Sequence, residues 1–362
     1  MMKKIIVLSP GLSLPRYIKR INSFVNAGYE VSIFGFERGK FQSIDKYPRN
    51  VIVTNLGTLE DGKSYVGNLI RMFQKQLPII KKHNKENVIY YSFGFVQSLL
   101  LYLFAEKPYI YEISDLVYGT FKNKVVSYII QSIDKTIIRK SRLTIMTSRG
   151  FKEYLFPNTH RNNIIIQPNK MDISFQSSKR SFKYINQNIV FGFVGYIRYP
   201  NTIFKIASII GEKYPRFKFY FYGDSIYRDD AIRLANKYNN VHFFGKYQNP
   251  ADLSKIYNSI DAVVSCYDTT TINERVAEPN KLYESIFFCK PIVVSSNTFL
   301  AKRVKELNCG LELDATNENN IISFLDNISL DRLNGIIDNE IHLEESEYID
   351  NPLNIVNQIK II

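Results

Sequence analysis

Tryptophan is absent from the 362 residues, and cysteine is limited to Cys266, Cys289 and Cys309. No two of these form a C-x-x-C pair, so they read as buried thiols of a reducing compartment and not as a disulfide framework. The histidines, His83, His160, His242 and His342, are scattered without an H-x-x-x-H or H-E-x-x-H pattern, and no metal is expected. No apolar run approaches the ~18 residues of a membrane-spanning helix. The opening "MMKKIIVLSP" is too short in apolar residues for a signal peptide, and a cytoplasmic location is expected.

Acidic charge is also scarce, but only in the first half. Residues 1–180 hold 28 Lys and Arg against 12 Asp and Glu, whereas 181–362 hold 19 against 22, which together make the net +13. The first half is therefore suited to meet a polyanionic surface and the second is not. No helix-turn-helix, zinc or RNA-binding motif accompanies that charge, so a nucleic-acid partner is not expected.

Short β-branched and aromatic runs alternate with helix-period segments from end to end. Strand candidates in the first half are 3–9, 30–36, 51–56, 87–92, 109–113, 143–148 and 163–167; in the second they are 189–195, 217–223, 241–245, 261–266 and 291–296. Helix candidates lie between them, among them "PRYIKRINSFVNAG", "IFKIASIIGEKYP", "DDAIRLANKYN" and "NPADLSKIYNSI". Alternation of this kind predicts parallel βαβ units, and strands apolar on both sides need helices on both faces. The polar, Ser-rich "SFQSSKRSFKYINQN" at 174–188 marks the expected boundary. The expected division is a first domain over 1–175, a second over 188–345 and a closing helix over 346–362. The segment 314–350 is acidic and Asn-rich.

Ligands of such sheets bind beyond the carboxyl ends of the strands, and several unusual residues fall there. Gly11 in "SPGLSLPR" follows the first strand and lets backbone approach a ligand, or it only makes a turn. Glu112 and Asp115 in "EISDL" end an apolar strand, where burial can turn a carboxylate into a general base; Asp115 can instead cap the next helix. "FGFVGYIRYPN" opens the second half with Gly195 and with Arg198, whose planar fork suits a diphosphate. In "PNKLYESIFFCKPIVVSS", Pro279 suits a helix start, Lys281 adds positive charge at that end, and Glu284 shares its face. A lysine for phosphates beside an acceptor for vicinal hydroxyls makes a site for a ribose diphosphate; the alternative is a plain Lys-Glu ion pair within the helix.

"PNKLYESIFFCKPIVV" resembles the nucleotide-binding segment of GT-B glycosyltransferases of the family 4 type. "IVFGFVGYIRYPN" is similar to the opening of their C-terminal domain, "IIIQPNKMD" to the close of their N-terminal domain, and "PRYIKRINSFVNAGYEVSIFGF" to their first helix and second strand. The match runs in order along nearly the whole chain. The resemblance implies two Rossmann-like parallel-sheet domains facing a cleft, with the sugar nucleotide on the second and the acceptor on the first. By position, Glu284 would take the ribose hydroxyls and Lys281 and Arg198 the diphosphate, with Asn280, Leu282 and Gly195 as motif neighbours. Gly11 would lie near the transferred sugar, and Asp115, with Glu112 behind it, would face the acceptor hydroxyl. Three positions depart from the family pattern: Val276 where a glutamate eight before Glu284 is usual, Lys170 for the glycine of P-N-G, and Ser114 for a histidine. The contact that this glutamate normally makes to the donor sugar is either missing or supplied by Glu274 or Glu278, and the donor sugar and stereochemistry stay open.

The expected activity is transfer of a sugar from a nucleotide diphosphate sugar, UDP-linked, to a lipid-linked or oligosaccharide acceptor of surface polysaccharide. No metal or other cofactor is expected, and attachment is peripheral, to the anionic inner face of the cell membrane. The basic segment "FKNKVVSYIIQSIDKTIIRKSR" carries Val125, Ile129, Ile133 and Ile137 as a stripe, either lying in a membrane surface or packing on the sheet. The rival readings are a non-catalytic sugar-nucleotide-binding subunit and a GT-B-fold epimerase.

Overall fold

The computed structural model describes residues 3–38, 47–59, 65–121, 123–176, 180 and 182–361. Lys122, counted in the basic segment, and 177–179 and 181 of the expected boundary lie outside them. The chain forms two compact units, Met1–Asn169 with Asn351–Ile362, and Lys170–Asp350. By these bounds the first unit carries 26 Lys and Arg against 11 Asp and Glu, and the second 21 against 23.

The first unit holds β1 (Lys4–Leu8), β2 (Glu30–Glu37), β3 (Ile52–Thr58), β4 (Val88–Phe93), β5 (Tyr109–Ile113), β6 (Leu143–Met146) and β7 (Ile164–Ile166). All pairs are parallel, in the order β3-β2-β1-β4-β5-β6-β7. Its helices are α1 (Pro15–Asn26), α2 (Tyr65–His83), α3 (Phe95–Phe104), α4 (Lys124–Lys140), α5 (Arg149–Leu155) and, from the chain's end, α14 (Leu353–Lys360). β4, β5 and β6 are buried at every residue, which is why they read as continuous apolar runs. Ile18, Ile21 and Phe24 of α1 join Ile355, Val356 and Ile359 of α14 in one core cluster on the sheet. Burying each such side chain stabilises by roughly 1.5–3 kcal/mol, so the final helix is part of this unit's core.

The second unit holds β8 (Val190–Val194), β9 (Lys218–Tyr222), β10 (Val241–Gly245), β11 (Ala262–Ser265), β12 (Ile292–Ser295) and β13 (Gly310–Leu313), ordered β10-β9-β8-β11-β12-β13 and again all parallel. Its helices are α6 (Pro200–Lys213), α7 (Arg228–Lys237), α8 (Leu253–Asn258), α9 (Ile272–Val276), α10 (Asn280–Phe287), α11 (Phe299–Leu307), α12 (Glu318–Asn327) and α13 (Leu330–His342). One core cluster joins Ile203, Ile206 and Ile210 of α6 to Leu333 and Ile337 of α13, and a second joins Leu282 and Ile286 of α10 to Val304 of α11.

In each sheet the strand order reverses beside the first strand, between β1 and β4 and between β8 and β11. These are the switch points at which ligands of such folds bind.

α4 differs from both patterns a buried helix could take. It seats on Asp134, Ile137 and Ile138, whereas Val125, Ile129 and Ile133 of the expected stripe are exposed. Among the described residues no helix is long and apolar enough to cross a membrane.

Candidate functional site

At the carboxyl end of the second sheet, Gly195 follows β8 with φ +135°, and its N–H donates to Tyr222 O at 2.7 Å. Gly223, after β9, has φ +139°, and a Cβ there would sit 1.8 Å from the Gly195 carbonyl oxygen. A Cβ on Gly195 would in turn lie 2.9 Å from Lys281 Cε. The two glycines thus let two loops close onto the start of α10, at the β8/β11 switch point.

α10 begins directly after Pro279, with Asn280 as its first residue. Leu282 turns into the core and its N–H bonds to Pro279 O at 3.2 Å, so it seats the helix. Lys281 Nζ lies 3.1 Å from Glu284 Oε2, with both side chains largely buried. Tyr257 OH donates to the same oxygen at 2.6 Å, and Asn280 Nδ2 donates to Oε1. Burial alone would lower the Lys281 ammonium, but the Glu284 carboxylate, helped by Tyr247 and Tyr267, reverses this and holds it above its ordinary range. Tyr257 is pushed far up by burial and then by Glu284, so it stays a donor. The result is a buried lysine cation and a carboxylate held by three donors, at a helix N-terminus that itself favours anions.

Arg198 is exposed on the loop after β8. No hydrogen bond or ion pair joins it to Lys281 or Glu284. Glu274 is used by a capping box, with its carboxylate accepting from Thr270 N–H at 2.6 Å and Thr271 N–H at 3.2 Å. Glu278 accepts from Tyr283 OH and lies 3.2 Å from Arg303 Nε. Both carboxylates near Val276 therefore have internal partners.

In the first unit, Gly11 lies in the turn after β1, where its N–H bonds to Ser9 Oγ at 3.2 Å. Glu112 is wholly buried: Arg20 Nε is 3.0 Å from Oε2, Arg16 Nε is 3.5 Å from Oε1, and Tyr91 OH also donates to Oε2. Sequence reasoning placed it in apolar burial, but two guanidiniums surround it, which makes it an anchor for α1. Asp115 is exposed on the turn that follows β5. It is not the cap of α4, a role taken by Asn123, whose side chain accepts from Val125 N–H at 2.9 Å. A further buried acid, Asp134 of α4, accepts from Tyr111 OH at 2.9 Å and is raised by burial to about 7. Neither it nor Tyr257 carries a sequence signal, because each finds its partner across more than twenty residues of chain.

Among the described residues no group of three His, Cys, Asp or Glu side chains is placed to hold a metal ion.

Comparison with known structures finds the same fold in solved glycosyltransferase-related chains. HepE of Anabaena, solved in complex with UDP and glucose, superposes with a TM-score of 0.68 over 99% of this chain and 98% of its own, at 14% identity. The chain has the GT-B fold. WaaG, a glycosyltransferase involved in lipopolysaccharide biosynthesis, matches this GT-B chain with a TM-score of 0.64 over 93% of it and 94% of its own length, at 13% identity. In sequence, the succinoglycan biosynthesis protein ExoL of Rhizobium meliloti is 21% identical over 348 residues, spanning 90% of this chain and 84% of ExoL. No family model matches the chain.

Proposed function

We propose that this GT-B protein transfers a sugar from a UDP-sugar to a lipid-linked or oligosaccharide acceptor in surface-polysaccharide synthesis. The observation that carries the reading is the buried Lys281–Glu284 pair at the start of α10, at the switch point of the second sheet. The complexes of HepE with UDP and with UDP-glucose, and the role of ExoL in succinoglycan biosynthesis, support it.

Glu284 accepts the two ribose hydroxyls, exchanging internal donors for them. Lys281, Arg198 and the first amides of α10 neutralise the diphosphate as it leaves, without a metal. Gly195 keeps the approach to Lys281 open, and Asn280 and Leu282 hold the helix start in place. In the first unit, Gly11 leaves room beside the transferred sugar, and Asp115 takes the acceptor hydroxyl's proton while Glu112 holds α1 behind it. The protein works in the cytoplasm, peripheral to the inner face of the membrane, where the first unit's surplus of basic charge meets anionic lipid.

Calorimetric titration with UDP, GDP, TDP and CMP tests the donor assignment: UDP alone should bind, at about micromolar strength. UDP-sugar turnover that requires a lipid-linked acceptor supports transfer. Turnover without acceptor identifies an epimerase, and binding without any turnover identifies a non-catalytic subunit.

Tyr257 gives a finer test. Its hydroxyl holds Glu284 Oε2 at 2.6 Å, and its ring stacks on Phe288 at 4.5 Å, so Tyr257→Phe removes the hydroxyl and keeps the packing. UDP should bind about 1–3 kcal/mol more weakly, as for loss of a hydrogen bond to a charged group. The preference for UDP over 2′-deoxy-UDP should shrink as well. Equal loss for both nucleotides would make Tyr257 a packing residue only.

A further inference from the structure

We propose that the outward face of α4 docks the first unit on an anionic bilayer, with the apolar side chains of its early turns inserted among the lipid chains. This builds on the membrane attachment in the functional reading above and identifies the surface that makes it. Val125 is 67%, Tyr128 70% and Ile129 51% exposed, while the helix's own seat on the sheet is made by Asp134, Ile137 and Ile138. A helix of a globular unit turns its apolar stripe to the core; here a second apolar face is turned outward.

The charges around that face choose its occupant. Lys124, Arg139 and Lys140 are exposed on α4, and its one acidic residue, Asp134, is buried against Tyr111. Exposed apolar side chains accompanied by cations alone fit the boundary between headgroups and acyl chains of anionic lipid. A second copy of this face would bring like charges together, which disfavours self-pairing. The turn carrying Asp115 and a short 3-10 helix, Val117–Thr120, lead from the carboxyl end of β5 to the start of α4, so the docked face brings a lipid-borne acceptor to the end of the first sheet that holds Asp115 and Gly11.

The absence of tryptophan supplies the test. With Tyr128→Trp the only indole is on this face; Phe244→Trp, at an exposed site of the second unit, is the control. On phosphatidylcholine vesicles containing phosphatidylglycerol, emission from position 128 should shift to shorter wavelength and be quenched by brominated chains, whereas the control should not respond. Val125→Asp with Ile129→Asp should lower vesicle partitioning about tenfold or more, without changing the circular dichroism spectrum or the UDP affinity. Vesicle binding without a response at 128, no binding at all, or a double variant that dissociates a dimer and still binds vesicles would each overturn the proposal. UDP affinity is read separately: a protein that inserts position 128 but binds no nucleotide would refute the transferase reading and leave the docking surface standing.

Discussion

Glu284→Gln is expected to weaken UDP binding about ten- to a hundredfold, the range for hydrogen bonds made to a charged group. The amide keeps the length of the side chain and an oxygen for Tyr257, but it loses the charge that faces Lys281 and one of the two acceptors offered to ribose. Lys281→Ala should weaken binding comparably for a different reason, because it removes the cation beside the helix amides. The two differ in stability. Lys281→Ala leaves the Glu284 carboxylate, almost fully buried, without its ion-pair partner, and breaking a buried pair costs about 3–5 kcal/mol. Glu284→Gln keeps the Tyr257 contact and should cost less. Thermal unfolding beside UDP calorimetry separates the effects. If both variants bind UDP like the parent, the pair is only a structural clamp within α10 and the donor assignment fails.

Much of this site was legible because its members are close in sequence. Lys281 and Glu284 lie one turn apart behind a proline, and periodicity alone places them together on one face. Tyr257 was not legible: it reaches Glu284 from α8, and nothing in "LSKIYN" separates a buried donor from an ordinary core tyrosine. The strands followed the same division. Every buried strand read as an apolar run, but β13, "GLEL", was passed over. It lies at the sheet's edge with Glu312 exposed, so it lacks the continuous burial that marks the others, and it abuts the acidic, Asn-rich segment. That segment folds as α12 and α13, whose apolar residues, spaced by helical period, include Ile321, Leu325, Leu333 and Ile337 in the core. For α4, composition identified an amphipathic helix, but which apolar face meets the sheet depends on where α3 and the turn before α4 pack, which periodicity does not contain. The end of the chain shows a related limit: "LNIVNQIK" reads as a helix, but only long-range packing assigns it to the first unit's core.

Glu340→Met is expected to stabilise the protein at neutral and alkaline pH. Glu340 on α13 is fully buried, and among the described residues neither carboxylate oxygen has a hydrogen-bond partner. Burial pushes its carboxyl far above the ordinary 4.5, and the nearby Arg180 and Lys290 charges offset this only in part. Arg180 is otherwise occupied: its guanidinium donates to the backbone oxygens of Phe287 at 3.1 Å, Glu340 at 2.9 Å and Ile341 at 3.3 Å, tying residue 180 to the ends of α10 and α13. The sign of the pH dependence follows. Because the folded state keeps a proton that the unfolded chain releases near 4.5, the Glu340 contribution is fully present below that pH and is lost as pH rises through the raised folded value. Methionine fills similar volume without a charge to desolvate, so the variant should gain about 1–4 kcal/mol at pH near 8, as for other buried charges replaced by apolar groups. Near pH 4.5 the gain should shrink, since both side chains are then neutral in the folded protein. Urea unfolding of parent and variant across this range decides it. Parallel stability-pH curves for the two proteins would mean that Glu340 finds a partner on folding and carries no buried penalty.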